Sequence, residues 1–310
     1  MTDTIPPVPG GVWAAMPLAL NADGTVDGGL VGEMVARYHA AGLEGAYCTG
    51  TDGEFQALEL DEFRAAVDAF AAAAERVNLP IQAGTGWLTL RGAVDRTRHA
   101  RDRGIRWVQV VPPFWVPLND TERVRFYEEL AAQVPDVGIL IYNTERIGRV
   151  LGPEQIRAIA AAVPSVVGSK YDGWDKAEFA AICAATPGLF HMPVDVGIGP
   201  SASYPTKGLC SWVANLNPTW MMAWWAAIER GDWPEADRRT AYAMALMHDW
   251  EAVTGHLTAS PALAKICARA GILPEMPLHV RPPYRAGTEG DVELLRALIA
   301  EKYSELAYRP

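Results

Sequence analysis

Lysine is scarce in this sequence: five among 310 residues, Lys170, Lys176, Lys207, Lys265 and Lys302. Cysteine is scarce too, and Cys48, Cys183, Cys210 and Cys267 lack the paired spacing of a zinc site or a disulfide framework. They read as reduced core thiols of a cytoplasmic protein. No apolar run reaches the ~20 residues of a membrane helix, and Met1 to Gly10 carries acidic and proline residues where a secretory leader needs basic and apolar ones. No glycine-rich phosphate loop follows a strand-like run, which argues against a dinucleotide-binding sheet. Base is outnumbered by acid, with a formal charge of -10, so nucleic acid and anionic membrane are poor partners. An anionic small substrate stays compatible, because one pocket can be basic on an acidic protein. Of the six histidines, His39, His99, His248, His256 and His279 fall in helical patterns or near the tail, and His191 on a strand reads as a core residue rather than a ligand. Neither a metal nor an organic cofactor is called for.

What is present is a regular alternation of short apolar runs with longer amphipathic ones. Strands are expected at Gly11–Leu18, Gly45–Thr49, Pro80–Gly84, Arg106–Val111, Gly138–Tyr142, Ser165–Lys170, Leu189–Met192 and Leu209–Val213. Helices are expected between them, at Leu30–Ala41, Leu60–Arg76, Leu90–Arg103, Glu122–Gln133, Pro153–Ala162 and Asp175–Ala185. The stretch holding Gly197, Gly199, Pro200 and Pro205 is the weakest helix. Gly42 and Gly104 suit helix C-terminal caps and Pro153 a first helical turn. Eight such alternations predict an α/β fold, a (β/α)8 TIM barrel. Helices at Trp220–Arg230, Pro234–Ala252, Pro261–Ala270 and Val292–Tyr308 follow without a flexible linker. The expected division is a barrel over residues 1–218, then the last barrel helix and a C-terminal helical extension over 219–310.

Barrel enzymes work at the carboxyl ends of their strands, and the unusual residues fall there. Strand six delivers Lys170 at the mouth of an apolar run. An amine attacks a carbonyl only when neutral, and a free lysine near pKa 10.4 is charged at pH 7. Burial lowers that value, which makes Lys170 a Schiff-base candidate; a snorkelling or salt-bridged lysine is the plainer alternative. Lys176, Lys265 and Lys302 lie in helical patterns and Lys207 in a turn, so these four are expected to be solvated. Strand two runs into Gly50-Thr51-Asp52-Gly53-Glu54, a tight loop whose N–H groups suit a carboxylate, or an ordinary turn. Tyr142 closes strand five, either facing the mouth or capping the core. Arg146 is placed to grip a carboxylate or to pair with Glu145 or Asp172. Trp87, Trp115, Trp174 and Trp212 lie at or beyond strand ends, where they would line an aromatic pocket or fill the rim.

Together, Gly50-Thr51-Asp52-Gly53-Glu54, Tyr142-Asn143 and Gly168-Ser169-Lys170, with Gly208-Leu209-Cys210-Ser211 and Ala214-Asn215, resemble the dihydrodipicolinate synthase and N-acetylneuraminate lyase superfamily of class I aldolases. The resemblance covers roughly residues 10 to 220 and its members carry a helical carboxyl extension. It implies that Lys170 forms an iminium with a 2-oxo acid such as pyruvate, that Tyr142 is the general acid/base, and that Thr51 hydrogen-bonds Tyr142 and helps seat the carboxylate. Gly50, Asp52, Trp115, Arg146 and Cys210 are the expected substrate-binding positions. A homodimer or homotetramer is implied, with a 2-oxo acid and an aldehyde as small-molecule partners. Three departures stand out: Asp52 replaces a threonine that helps hold the carboxylate, Trp115 stands where the synthases carry a second, proton-feeding tyrosine, and Glu145 replaces a proline, with Arg146 one residue closer to Tyr142. Phe114-Trp115 before Asn119-Asp120 is more similar to the hydratase-aldolase branch. Aldol cleavage or condensation is the expected activity; dehydration of a 2-keto-3-deoxy sugar acid and a non-catalytic binding protein on the same scaffold are the alternatives.

Overall fold

The eight apolar runs become eight strands because each is buried on both faces, inward against the barrel interior and outward against helices. The computed structural model describes residues 5–148, 150–194, 206–254 and 261–309. Its strands are β1 (Gly11–Ala15), β2 (Gly45–Cys48), β3 (Ile81–Gly84), β4 (Trp107–Val110), β5 (Gly138–Thr144), β6 (Val166–Asp172), β7 (Phe190–Pro193) and β8 (Gly208–Ser211). They form one parallel sheet in the order β7-β6-β5-β4-β3-β2-β1-β8. A parallel bridge from Val194 to Cys210 joins its two edges and closes the barrel. Trp13, Tyr47, Trp107, Leu140, Phe190, Met192 and Cys210 cluster on one strand face. Their alternating neighbours, such as Val12, Ala14, Val108 and Ile141, pack with the helices.

Helices α1 (Gly28–Ala40), α2 (Leu60–Val77), α3 (Leu90–Asp102), α4 (Asp120–Gln133), α5 (Pro153–Ala162) and α6 (Lys176–Ala185) connect the first seven strands. Their ends follow local chemistry. Asn119 and Glu122 form a reciprocal capping box that starts α4, and Gly42 and Gly104 take φ of +85° and +84° just after α1 and α3. The expected weak helix around Gly197 to Pro205 lies outside the described residues, as does His256. The chain then continues through α7 (Val213–Leu216), α8 (Pro218–Glu229), α9 (Trp233–Thr254), α10 (Pro261–Ala270) and α11 (Glu289–Lys302). No described helix is long and apolar enough to cross a membrane.

Several boundaries differ from expectation. β8 stops at Ser211 rather than Val213, because the Ser211 hydroxyl accepts the Val213 N–H at 3.0 Å and turns the chain into α7. The last helix starts earlier than Val292, at a Thr288–Asp291 capping box, and ends before Tyr303. β5 and β6 each run two residues past the Tyr142 and Lys170 expected as their ends. That extension shapes the site.

Candidate active site

In the parallel register of β5 and β6, Tyr142 stands opposite Lys170 and Thr144 opposite Asp172. Side chains two apart on a strand share a face, so four polar side chains meet on one patch of the barrel mouth. Lys170 is 3% exposed. Its Nζ lies over two rings, 4.4 Å from the centroid of Tyr142 and 4.7 Å from that of Tyr47. Tyr142 Oη is 3.1 Å from Thr51 Oγ1 and donates to Asp172 Oδ2 at 3.2 Å. Thr144 Oγ1 donates to the same Oδ2 at 2.8 Å, and the Arg146 guanidinium forms an ion pair with it. Arg146 is thus engaged by Asp172, the second of the two uses foreseen for it.

A cavity of about 460 Å³ opens above this patch. Its base includes Tyr47, Gly50, Thr51, Asp52, Tyr142, Lys170 and Asp172, and its upper wall includes Trp174, Trp212, Met247 and Leu263. Thr51, Tyr142 and Arg146 also border a second cavity of about 250 Å³, flanked by Phe55, Phe114 and Tyr284. Trp115 lines neither cavity: it is 85% exposed. Phe114 turns in at the end of β4 and the next residue turns out. Cys210 is fully buried in the interior cluster and borders neither cavity, lying in the barrel floor instead. Trp87 stacks on the Arg96 guanidinium at 3.5 Å and lines neither cavity. His191 is held between Ser169 at 2.8 Å and Thr186 at 2.9 Å, and burial pushes its pKa down to about 4, as befits a neutral core imidazole.

The charges around Lys170 set its resting state. Burial of the ammonium lowers its pKa, but Tyr142, Cys210, Asp172 and Asp52 act the other way and prevail, so Lys170 is held above its ordinary value. Burial alone therefore does not neutralise it, contrary to the simple expectation from an apolar mouth. Asp52 behaves oppositely: burial raises its carboxyl to about 6, against the pull of Lys170 and Arg146. Burial also raises the Tyr142 phenol, with Lys170 the main opposing charge.

The Gly50–Glu54 loop is shaped by packing. A Cβ on Gly50 would strike the Tyr47 ring, and one on Gly53 would come within 2.8 Å of Thr49 N. Glu54 takes a left-handed φ of 61° and points its buried carboxylate away from the cavity, onto Lys265 Nζ at 2.6 Å. Both side chains are 0% exposed. Glu54 also accepts the Arg281 N–H at 2.6 Å, and Lys265 donates to the His279 carbonyl at 2.6 Å. Lys265 is therefore no solvated helix lysine, because α10 turns that face onto the loop. Tyr47, Thr144 and the Glu54–Lys265 pair were not singled out from sequence. The signal for Thr144 and Asp172 was the two-residue strand alternation beyond Tyr142 and Lys170, whereas Lys265 offers none without tertiary structure.

The comparisons with known proteins agree with this architecture. The model of the dihydrodipicolinate synthetase family matches residues 8–301. An uncharacterised DapA-like lyase of Halobacterium salinarum is 28% identical over 94% of this chain and 93% of its own length. A trans-O-hydroxybenzylidenepyruvate hydratase-aldolase of Pseudomonas aeruginosa is 27% identical over 70% of this chain and 63% of its own. Among solved structures, N-acetylneuraminate lyase of Proteus mirabilis superposes with a TM-score of 0.82 at 19% identity, covering 97% of this chain and 99% of that one. With the family model matched from before β1 to α11, the chain belongs to the dihydrodipicolinate synthetase family and is a lyase of that kind.

Proposed function

We propose that Lys170 attacks the carbonyl of a pyruvate-type 2-oxo acid, and that the resulting iminium drives aldol cleavage or condensation. The observation that carries this reading is a buried lysine set directly across the register from a tyrosine that is hydrogen-bonded to Thr51. Attack forms a carbinolamine; the nitrogen lone pair then expels its oxygen as water once a proton reaches it, leaving C=N. The iminium draws electrons from C2, so that a C3 proton or the C3–C4 bond can leave as an enamine forms. Tyr142, across the register from Lys170 and in contact with Thr51, gives and takes those protons.

The upper wall favours an apolar acceptor. Trp174, Trp212, Met247 and Leu263 line the main cavity together with Lys170, which suits an aromatic aldehyde, and a trans-O-hydroxybenzylidenepyruvate hydratase-aldolase is among the relatives. The exposed apolar tip formed by Trp115 and Val116 supports assembly as a homodimer or homotetramer.

Borohydride reduction in the presence of pyruvate, followed by intact mass and peptide mapping, tests the chemistry. A single reduced adduct on Lys170 is expected, and Lys170→Ala should carry none. An adduct mapped to any other lysine, or none in folded protein, refutes the assignment.

A further inference from the structure

Asp172 has no role in the iminium chemistry as described so far, yet its Oδ2 collects three donors: the Tyr142 hydroxyl, the Thr144 hydroxyl and the Arg146 guanidinium. We propose that Asp172 is the proton acceptor behind Tyr142, so that the two side chains work as one relay serving Lys170 and its substrate. The proposal rests on the iminium reading above.

Three observations carry it. Tyr142 has one phenolic proton and gives it to Asp172, so the 3.1 Å contact with Thr51 must run from Thr51 to the Tyr142 oxygen. The proton of Tyr142 is thereby aimed at a carboxylate, while Lys170 Nζ lies over the Tyr142 ring, 4.4 Å from its centroid, on the cavity side of the same residue. A carboxylate that accepts the phenolic hydrogen bond makes the phenol oxygen a better base; the aspartate behind a catalytic histidine orients and stabilises its partner without being protonated, and Asp172 differs in taking up the proton itself. Second, the Asp172 side chain is only 10% exposed and borders the main cavity beside Lys170 and Asp52, so the relay ends inside the site. Third, Trp115, which replaces the tyrosine that feeds protons in the synthases the sequence resembles, stands in solvent, so no side chain at that position serves the site.

The steps balance. When the Lys170 ammonium loses a proton to Tyr142 Oη, the phenolic proton passes to Asp172 Oδ2, leaving a neutral amine and a neutral carboxylic acid. In carbinolamine breakdown the transfers reverse: Asp172 returns its proton to Tyr142, Tyr142 protonates the departing oxygen, and the nitrogen lone pair forms C=N as water leaves. In enamine formation a C3 proton goes to Tyr142 while the phenolic proton again moves to Asp172. The C–H electron pair becomes the C2=C3 bond, and the iminium π pair returns to nitrogen.

The test follows the methyl signal of pyruvate in D2O by NMR, alongside borohydride trapping. Asp172→Asn keeps an acceptor of the same shape but cannot take a proton. It should trap adduct at saturation within about twofold of the parent protein while exchanging methyl hydrogens at least about 100-fold more slowly. Asp172→Ala should show the same loss and regain rate with added carboxylates in order of their basicity, acetate more than formate, but not with formamide, a dependence on basicity that merely restoring the ion pair with Arg146 would not produce; this arm carries the test should the Asn variant not fold. Exchange by Asp172→Asn within about threefold of the parent, or equal rescue by formamide, overturns the relay. A parent protein that neither traps pyruvate nor exchanges its methyl hydrogens refutes the iminium reading, and the relay with it.

Discussion

Asp52 sits in the cavity beside Lys170 with its carboxyl raised to about 6 by burial. Below that pH it is neutral; above it, an anion stands where the carboxylate of a 2-oxo acid is expected to lie. Pyruvate affinity should therefore fall as the pH rises through 6, by about tenfold for each 1.4 kcal/mol of repulsion. Asp52→Asn should flatten that dependence and bind pyruvate more tightly at pH 8, as measured by calorimetry across the range; an unchanged slope would show that Asp52 turns away from the carboxylate. The same shift bears on folding. Between the ordinary carboxylate range and about 6, the folded chain holds a proton that the unfolded chain has released, so this residue makes the fold less stable as the pH climbs through that window.

At the level of elements, the loop after β2 is pinned from outside the barrel. Glu54 and Lys265 tie it to α10 through a pair with no solvent access, and deleting one partner leaves the other charge buried. Lys265→Met should lower the unfolding free energy by about 3–5 kcal/mol in urea titrations, and a Glu54→Leu/Lys265→Met double variant should recover most of it. A single-variant cost below about 1 kcal/mol would mean that water reaches the pair.

The barrel itself was legible in the sequence because its signals are local: apolar runs for β1 to β8, Pro153 at a helix start, Gly42 and Gly104 at helix ends. That Lys170, Tyr142 and Thr51 meet at the barrel mouth was legible for a related reason, since each closes or follows such a run. Lys265 was misread because helical periodicity reports a face but not what that face meets. The resting charge of Lys170 was misread because it depends on Asp52, Cys210 and Tyr142, which reach it from three other places along the chain, as well as on Asp172 two residues on. Trp115 shows the limit from the other side, since one residue of loop decides between Phe114 turning in and Trp115 turning out.

For the molecule as a whole, the exposed Trp115 and Val116 tip makes assembly measurable. Light scattering after size exclusion should give two or four times the 33.6 kDa chain mass, and Trp115→Asp should shift the population toward monomer if that tip lies in a contact. A parent protein eluting as a monomer at micromolar concentration would end the oligomer proposal.

The main cavity draws its reactive base from β2, β5 and β6 and part of its upper wall, Met247 and Leu263, from α9 and α10, more than seventy residues later in the chain than Lys170. On the proposed function, chemistry and selectivity are written in separate stretches of the gene. Substitutions in the late helices would then redraw which acceptor is admitted while Lys170 and Tyr142 stay untouched, so new substrate preferences would be open to this scaffold without reinventing the reaction.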